Sequence, residues 1–150
     1  MVCFVSAESH YSVLMSANVL GLGYDNCVKV ATDDDGLMKM DALEECIKAA
    51  RDAGKTPFCV IATSGTTVRG CFDPLRPISA ICKANNIWMH VDAAWGGAVL
   101  MSAKHRYLMD GSELADSMCW DTHKMMGIPL ICSAFLIQRI EVLKTVCSHG

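Results

Sequence analysis

Lys124 is the residue of this sequence best suited to covalent chemistry on a carbonyl group. It ends the segment DTHK (121–124) and precedes a long apolar run around residues 128–137. A lysine held in apolar surroundings has a depressed pKa and becomes a nucleophilic amine that forms Schiff bases. The alternative is a solvated lysine at the edge of a loop, as most lysines are. The residues alone leave both interpretations open.

Asp92 is the second candidate. It follows the apolar segment 87–91 and precedes the small residues of the segment AAWGG (93–97). A carboxylate at the end of a buried strand needs a partner that offsets its desolvation, such as a metal ion, an arginine or a protonated ring nitrogen of a cofactor. The small residues let a flat ligand approach the backbone closely. An aspartate that caps the next helix would explain the same position.

Polar residues also follow two other strand patterns. His10 stands at a predicted strand-to-helix junction, where it could be a structural histidine, begin the helix or stack on a ligand. The segment TSGTT (63–67) brings hydroxyl groups after another strand, although an ordinary β-turn with hydroxyl caps is the simpler explanation. His90 lies inside a strand pattern and is expected in the core.

Neither a metal site nor a disulfide framework is expected. No pair among His10, His90, Asp92 and His123 has the short spacing of zinc ligands. The nine cysteines never approach a C-x-x-C pattern, and most lie in apolar runs, where cysteine behaves as a small hydrophobic residue. This usage is typical of a reducing cytosol, so a cytoplasmic location is expected.

Alternating strand and helix patterns must position these residues. The predicted strands are Val2–Ser6, Asn26–Ala31, Phe58–Ala62, Ile87–Val91, Ser117–Trp120 and Ile131–Ile137. Helices are predicted over Tyr11–Leu20, from an N-cap at Asp41 to Gly54, and from an N-cap at Asp73 followed by Pro74. The alternation predicts an α/β fold with a mostly parallel sheet and helices on both faces. Because ligands bind at the carboxyl ends of such strands, the segments 6–10, 63–70, 92–97 and 120–124 are expected to meet in one crevice.

Composition excludes several classes of function. The 150 residues include 52% hydrophobic and 19% charged residues, which predicts one folded domain rather than a disordered chain. The net charge of −3 comes without any basic run, so no nucleic-acid partner is expected. No apolar stretch is long enough for a membrane span, so no membrane partner is expected. The low fraction of charged residues indicates that other protein segments or subunits cover part of the surface of this domain.

The chain resembles the group II pyridoxal-5'-phosphate (PLP) amino acid decarboxylases over nearly its whole length. The similar segments are SAESHYSV (6–13), PFCVIATSGTTVRGCFDPL (57–75), IWMHVDAAWGGAVLMSAKHRYLMDG (87–111) and ADSMCWDTHKMMGIPLICSAFLI (115–137). The likeness is greatest to the glutamate and cysteine sulfinate branch. It implies the PLP-dependent transferase fold, type I, with residues 1–150 as part of the large PLP-binding domain and no internal boundary.

The resemblance also implies a reaction and its principal residues. Lys124 would hold PLP as a Schiff base, with His123 beside it and His10 as a further catalytic residue. The enzyme would remove CO2 from an amino acid, with glutamate, cysteine sulfinate or aspartate as the expected small-molecule substrate. The full-length protein would be a homodimer.

Four positions are implied as cofactor contacts besides the lysine. Asp92 would pair with the pyridine nitrogen, so that the ring stays protonated and accepts electrons. His10 would stack on one face of the ring and Ala94 would pack on the other. Thr66 would lie near Asp92 and help to position the cofactor.

The sequence departs from the family at one position and in length. Animal members have an asparagine where this chain has Asp121, and that asparagine helps to hold the cofactor phosphate, so the role of Asp121 is open. Family chains run to several hundred residues, and the 150 residues are therefore expected to be part of a longer decarboxylase and inactive alone. The alternatives are a non-catalytic copy that acts in binding or dimerisation, and another PLP enzyme of the same fold, such as an aminotransferase.

Overall fold

A six-stranded sheet forms the centre of the computed structural model, which describes residues 1–148. Its strands are β1 (Val2–Ser6), β2 (Cys27–Val30), β3 (Pro57–Thr63), β4 (Trp88–Asp92), β5 (Ser117–Asp121) and β6 (Ser133–Ile137). They lie in the order β2-β1-β3-β4-β5-β6, and all neighbours are parallel except β5 and β6, which are antiparallel. The predicted mostly parallel α/β sheet is confirmed.

Helices lie on both faces of this sheet. They are α1 (Tyr11–Val19), α2 (Met40–Asp52), α3 (Leu75–Asn85) and α4 (Ile140–Cys147), with 3-10 turns at Tyr24–Asn26, Gly96–Met101, Arg106–Met109 and Ser112–Leu114. On one face, α2 and α3 pack their apolar residues against buried strand residues such as Phe4 and Val91. On the other face, Ala17 of α1 packs in a smaller cluster with Val5 and Ile61. None of the helices within residues 1–148 is long and apolar enough to cross a membrane.

The start of α3 differs from the prediction. The helix begins at Leu75 with Pro74 at its N-cap, and no side chain caps it. Asp73 turns away from the helix, and its carboxylate accepts hydrogen bonds from the backbone N–H groups of Met38 and Thr63, each at 2.8 Å. The predicted N-cap at Asp73 is wrong because the carboxylate satisfies two buried backbone donors instead.

The start of α2 also differs from the prediction. The helix begins at Met40 with Lys39 at the N-cap position, so Asp41 lies inside the first turn. The carboxylate of Asp41 accepts from the N–H of Ala42 at 2.8 Å. The predicted N-cap at Asp41 is wrong, because it lies two residues after the observed N-cap, and the acidic residue instead acts within the first turn of the helix, where negative charge is favourable.

Candidate active site

Loops that follow four strands meet in one cleft of about 600 Å³ at the carboxyl end of the parallel sheet. The cleft is lined by residues from each of the four segments that the sequence singled out, among them His10, Thr66, Asp92 and Lys124. The expected common crevice is confirmed. It exists because β1, β3, β4 and β5 run parallel and end at the same edge.

Two glycines allow the loops after β3 and β4 to touch. A Cβ atom on Gly65, where φ is +83°, would lie only 2.7 Å from Cα of Gly96. A Cβ atom on Gly96 would meet the carbonyl group of Ser64 and lie 2.7 Å from the ring of Phe72. Only glycine fits at these positions, and the close contact holds both loops at the mouth of the cleft.

Lys124 is ion-paired in the structure. Its Nζ lies 2.8 Å from Oδ2 of Asp121, and the Lys124 side chain is 38% exposed. Although burial opposes ionisation of Asp121, hydrogen bonds from Lys124 and Ser133 hold the pKa of this carboxyl below its ordinary value. The nearest charged neighbour of the lysine is thus a carboxylate, which differs from the apolar surroundings considered from the sequence.

Asp92 ends β4 and turns its carboxylate into the cleft. Its Oδ1 accepts hydrogen bonds from the N–H of Ala94 at 3.1 Å and from the thiol of Cys119 at 3.4 Å. Ala94 lines the same cleft. The carboxylate therefore holds a fixed orientation at the floor of the site.

His10 occupies the N-cap position of α1 and is exposed at the cleft. Its Nδ1 lies 2.7 Å from the hydroxyl of Ser12 and accepts from the N–H of Ser12 at 3.3 Å. The imidazole therefore begins the helix and also lines the cleft, which joins two of the roles considered from the sequence.

His123 makes its contacts outside the cleft lining. Its Nδ1 lies 3.0 Å from the carbonyl oxygen of Cys132 and 3.3 Å from the N–H nitrogen of the same residue. These contacts tie the start of the turn after β5 to the start of β6. The histidine is a neighbour of Lys124 in the chain, but its ring is directed at the backbone.

Thr66 and Thr63 have different environments, although both line the cleft. The hydroxyl of Thr66 accepts from the N–H of Cys71 at 3.0 Å, which closes the loop after β3. The hydroxyl of Thr63, a residue only 5% exposed, has no hydrogen-bond partner among the described residues. Sequence reasoning included Thr63 only as one hydroxyl of the segment 63–67 and missed Cys119, for which the only available signal was its position in a predicted strand shortly before Lys124.

His90 belongs to the sheet, as predicted. It is partly buried and its Nδ1 lies 2.8 Å from the hydroxyl of Ser117. Burial lowers its pKa below the ordinary value, and the nearby charge of Asp92 opposes that shift. In residues 1–148, no three histidine, cysteine or acidic residues lie in an arrangement that could hold a metal ion.

The arrangement suits an aldehyde-bearing pyridine cofactor. An amine, a carboxylate and an imidazole surround one volume, and the small residue Ala94 leaves one side of it open to a flat ring. The hydroxyl of Thr63, a residue of the same wall, has no hydrogen-bond partner in the described part of the chain. The residues present fit the ring of PLP.

Comparisons with known proteins identify similar chains. Residues 1–148 match the family model described as the pyridoxal-dependent decarboxylase conserved domain. The acidic amino acid decarboxylase GADL1 of Bos taurus is 49% identical over 145 residues, which cover 96% of this chain and 28% of that protein. Human cysteine sulfinic acid decarboxylase is 48% identical over 147 residues, covering 98% of this chain and 30% of that one.

The crystal structure of mouse CSAD superposes with a TM-score of 0.91 at 47% identity, covering 93% of this chain and 29% of that chain. The chain thus spans less than a third of the length of these relatives.

Proposed function

The chain belongs to the pyridoxal-dependent decarboxylase family, and from that membership we propose that it provides the PLP-binding core of an amino acid decarboxylase. Residues 1–150 would form one part of a larger cofactor-binding domain, without an internal boundary. One observation carries the proposal: Lys124, Asp92 and His10, which come from three separate loops, line a single cleft.

Lys124 is the proposed site of covalent attachment. Its amine would hold PLP through a bond to the aldehyde carbon, with the aldehyde oxygen leaving as water. Asp121, whose Oδ2 lies 2.8 Å from Nζ, places a negative charge beside that amine. Asp121 therefore acts on the lysine, and as an ionised acceptor it is a poor ligand for a phosphate group.

Asp92 and His10 are the proposed contacts to the ring. When bound, PLP supplies an electron sink for the electron pair that is left behind as CO2 departs. Asp92 would hold a proton on the pyridine nitrogen, because it lines the cleft and its Oδ1 is bonded to protein donors, whereas no donor within residues 1–148 reaches its Oδ2. This stabilises negative charge where it develops.

The ring would lie between His10 and Ala94. His10 is fixed by Ser12 at the N-cap of α1, so its imidazole can cover one face of a flat ligand. Ala94, whose N–H is bonded to Asp92, leaves room on the other side. His123 and Thr66 would act by holding the two flanking loops in place.

The proposed substrates are acidic amino acids: cysteine sulfinate, glutamate or aspartate. Support comes from the bovine and human relatives, whose names specify an acidic amino acid and cysteine sulfinic acid. We further propose that the complete protein works as a homodimer in the cytoplasm. The nine cysteines, all free in the structure, agree with a reducing compartment.

CO2 release by the full-length protein tests this proposal. PLP-loaded protein is incubated separately with cysteine sulfinate, glutamate, aspartate and, as a non-acidic comparison, tryptophan. We expect CO2 and the matching amine from at least one acidic substrate, and none from Lys124→Ala. Lys104→Ala, which changes an exposed lysine outside the cleft, is the matched control and should keep wild-type activity. A folded, PLP-loaded protein that releases no CO2 from any acidic substrate would refute the proposal.

A further inference from the structure

Asp92 lies in a lateral row with Thr63 and Cys119, across three neighbouring strands. In the register of the sheet, Thr63 of β3 pairs with Asp92 of β4, which in turn pairs with Cys119 of β5. Paired residues of neighbouring strands project to the same face of a sheet. All three side chains accordingly line the same cleft.

Cys119 acts as a hydrogen-bond donor in this row. Its Sγ lies 3.4 Å from Oδ1 of Asp92. Burial, followed by the negative charge of Asp92, raises the pKa of the thiol to about 12, so the thiol keeps its proton at neutral pH. Oδ1 thereby receives two protein donors, the S–H of Cys119 and the N–H of Ala94.

Two polar atoms of this row have no hydrogen-bond partner among the described residues. No protein donor within residues 1–148 reaches Oδ2 of Asp92. The hydroxyl of Thr63, next to it in the row and 5% exposed, is also unpartnered in that part of the chain. A polar group without a partner costs free energy, so a ligand group that pairs with Oδ2 of Asp92 would be favoured here.

We propose that Cys119 is a positioning residue for Asp92, whose Oδ1 it fixes so that Oδ2 is turned toward the ring nitrogen of the cofactor. The inference rests on the proposed function, because it takes PLP as the ligand and Asp92 as the partner of its nitrogen. A carboxylate oriented before binding loses less conformational freedom when the cofactor arrives. Cys119 makes no contact with the reacting atoms and acts through Asp92.

The proposal is tested in the full-length protein by measuring the affinity for PLP and the absorbance of bound PLP. Cys119→Ala removes the donor, and we expect PLP affinity to fall about fivefold to tenfold. This loss is small for a hydrogen bond to a charged group, because a thiol is a weak donor. The absorbance band of bound PLP should shift in the same direction as in Asp92→Asn, by a smaller amount. Cys119→Ser retains a donor and should bind PLP within about twofold of wild type.

Two controls separate this role from simple packing. Cys119→Val fills the strand position without a donor and should behave as Cys119→Ala does. Cys82→Ala removes another buried thiol, in α3 and outside the cleft, and should leave the band unchanged even where it lowers stability.

Each failure has a distinct signature. If folded Cys119→Ala and Cys119→Val bind PLP with wild-type affinity and spectrum while Asp92→Asn does not, the positioning role is overturned and the proposed function stands. If Asp92→Asn and Lys124→Ala also bind PLP as wild type does, the proposed function itself is overturned, and the inference with it.

Discussion

Asp121 and Lys124 form an ion pair of 2.8 Å at the turn that follows β5. The pair places a negative charge beside the amine that we propose as the nucleophile. The pair links the end of β5 to the turn that carries Lys124. Asp121 also accepts a hydrogen bond from Ser133, which links the end of β5 to the start of β6. The carboxylate therefore influences both the electrostatic surroundings and the location of the lysine.

Replacing Asp121 with asparagine should speed formation of the Schiff base with added PLP at pH 7. Loss of the carboxylate charge removes the ion pair that holds Nζ, so the amine is freer to form its bond to the aldehyde carbon. We expect an increase of about two- to fivefold, as for a partly exposed ion pair. Stopped-flow absorbance measures the rate. Asp110→Asn, which breaks an exposed pair with Arg76 far from the cleft, is the control. A slower reaction in Asp121→Asn would show that the carboxylate serves mainly to position the lysine.

Borohydride reduction should attach PLP to Lys124. Reduction fixes the Schiff base, so peptide mass spectrometry of PLP-treated protein should find a pyridoxyl group on this residue. In Lys124→Ala the modification should be absent, whereas Lys104→Ala should be labelled at Lys124 as wild type is. Labelling that persists at other lysines and spares Lys124 in folded protein would contradict the assignment.

Gly96→Ala should lower stability by about 3 kcal/mol, at the upper end of the usual cost of overpacking. The new methyl group would meet the backbone carbonyl of Ser64, which cannot move without opening the loop after β3. PLP binding should weaken in parallel, because this contact holds the two loops of the cleft together. Urea unfolding and PLP titration of the full chain measure both effects.

Gly54→Ala is the matched control for that substitution. Gly54 has φ +71° with no atom within 4 Å of an added Cβ, so only backbone strain of about 1 kcal/mol is expected. Its PLP affinity should equal that of wild type. Equal stability losses in the two variants, with unchanged PLP affinity in both, would argue against the loop contact.

Asp73 should make stability depend on pH in acid solution. Burial raises the pKa of this carboxyl from 3.8 to about 6, against the effect of the hydrogen bonds from Thr63 and Met38. The folded state therefore binds a proton more tightly than the unfolded state. The contribution of that proton is complete below about pH 4 and is lost as the pH rises to about 6, a change of about 3 kcal/mol.

Urea unfolding of wild type and Asp73→Asn between about pH 4 and pH 7 measures this contribution. The stability of wild type relative to the variant should be greatest at the acid end and fall with rising pH, then remain constant. A difference that does not vary with pH, or one that grows as the pH rises, would contradict the prediction.

The order of strands and helices and the location of the cleft could be predicted from the sequence. Apolar segments such as 58–62 and 87–91 are long and β-branched enough to identify buried strands, and each is followed by polar residues. Parallel strands end at one edge, so local patterns alone were sufficient to bring Lys124, Asp92 and His10 into one crevice. The resemblance to the decarboxylases rests on the same segments.

Partners across the sheet were decided by the tertiary structure. Asp73 resembles a helix cap in sequence, yet it binds the N–H of Met38, 35 residues away, because folding leaves that donor buried beside it. Cys119 had no individual role in the sequence analysis, and only the register of β4 with β5 brings its thiol to Asp92. Side-chain periodicity determines which face a residue occupies, but lateral register and competition between nearby donors and acceptors depend on the whole fold. For that reason the sequence was sufficient to predict the candidate reactive residues, whereas the groups that contact them could be found only in the structure.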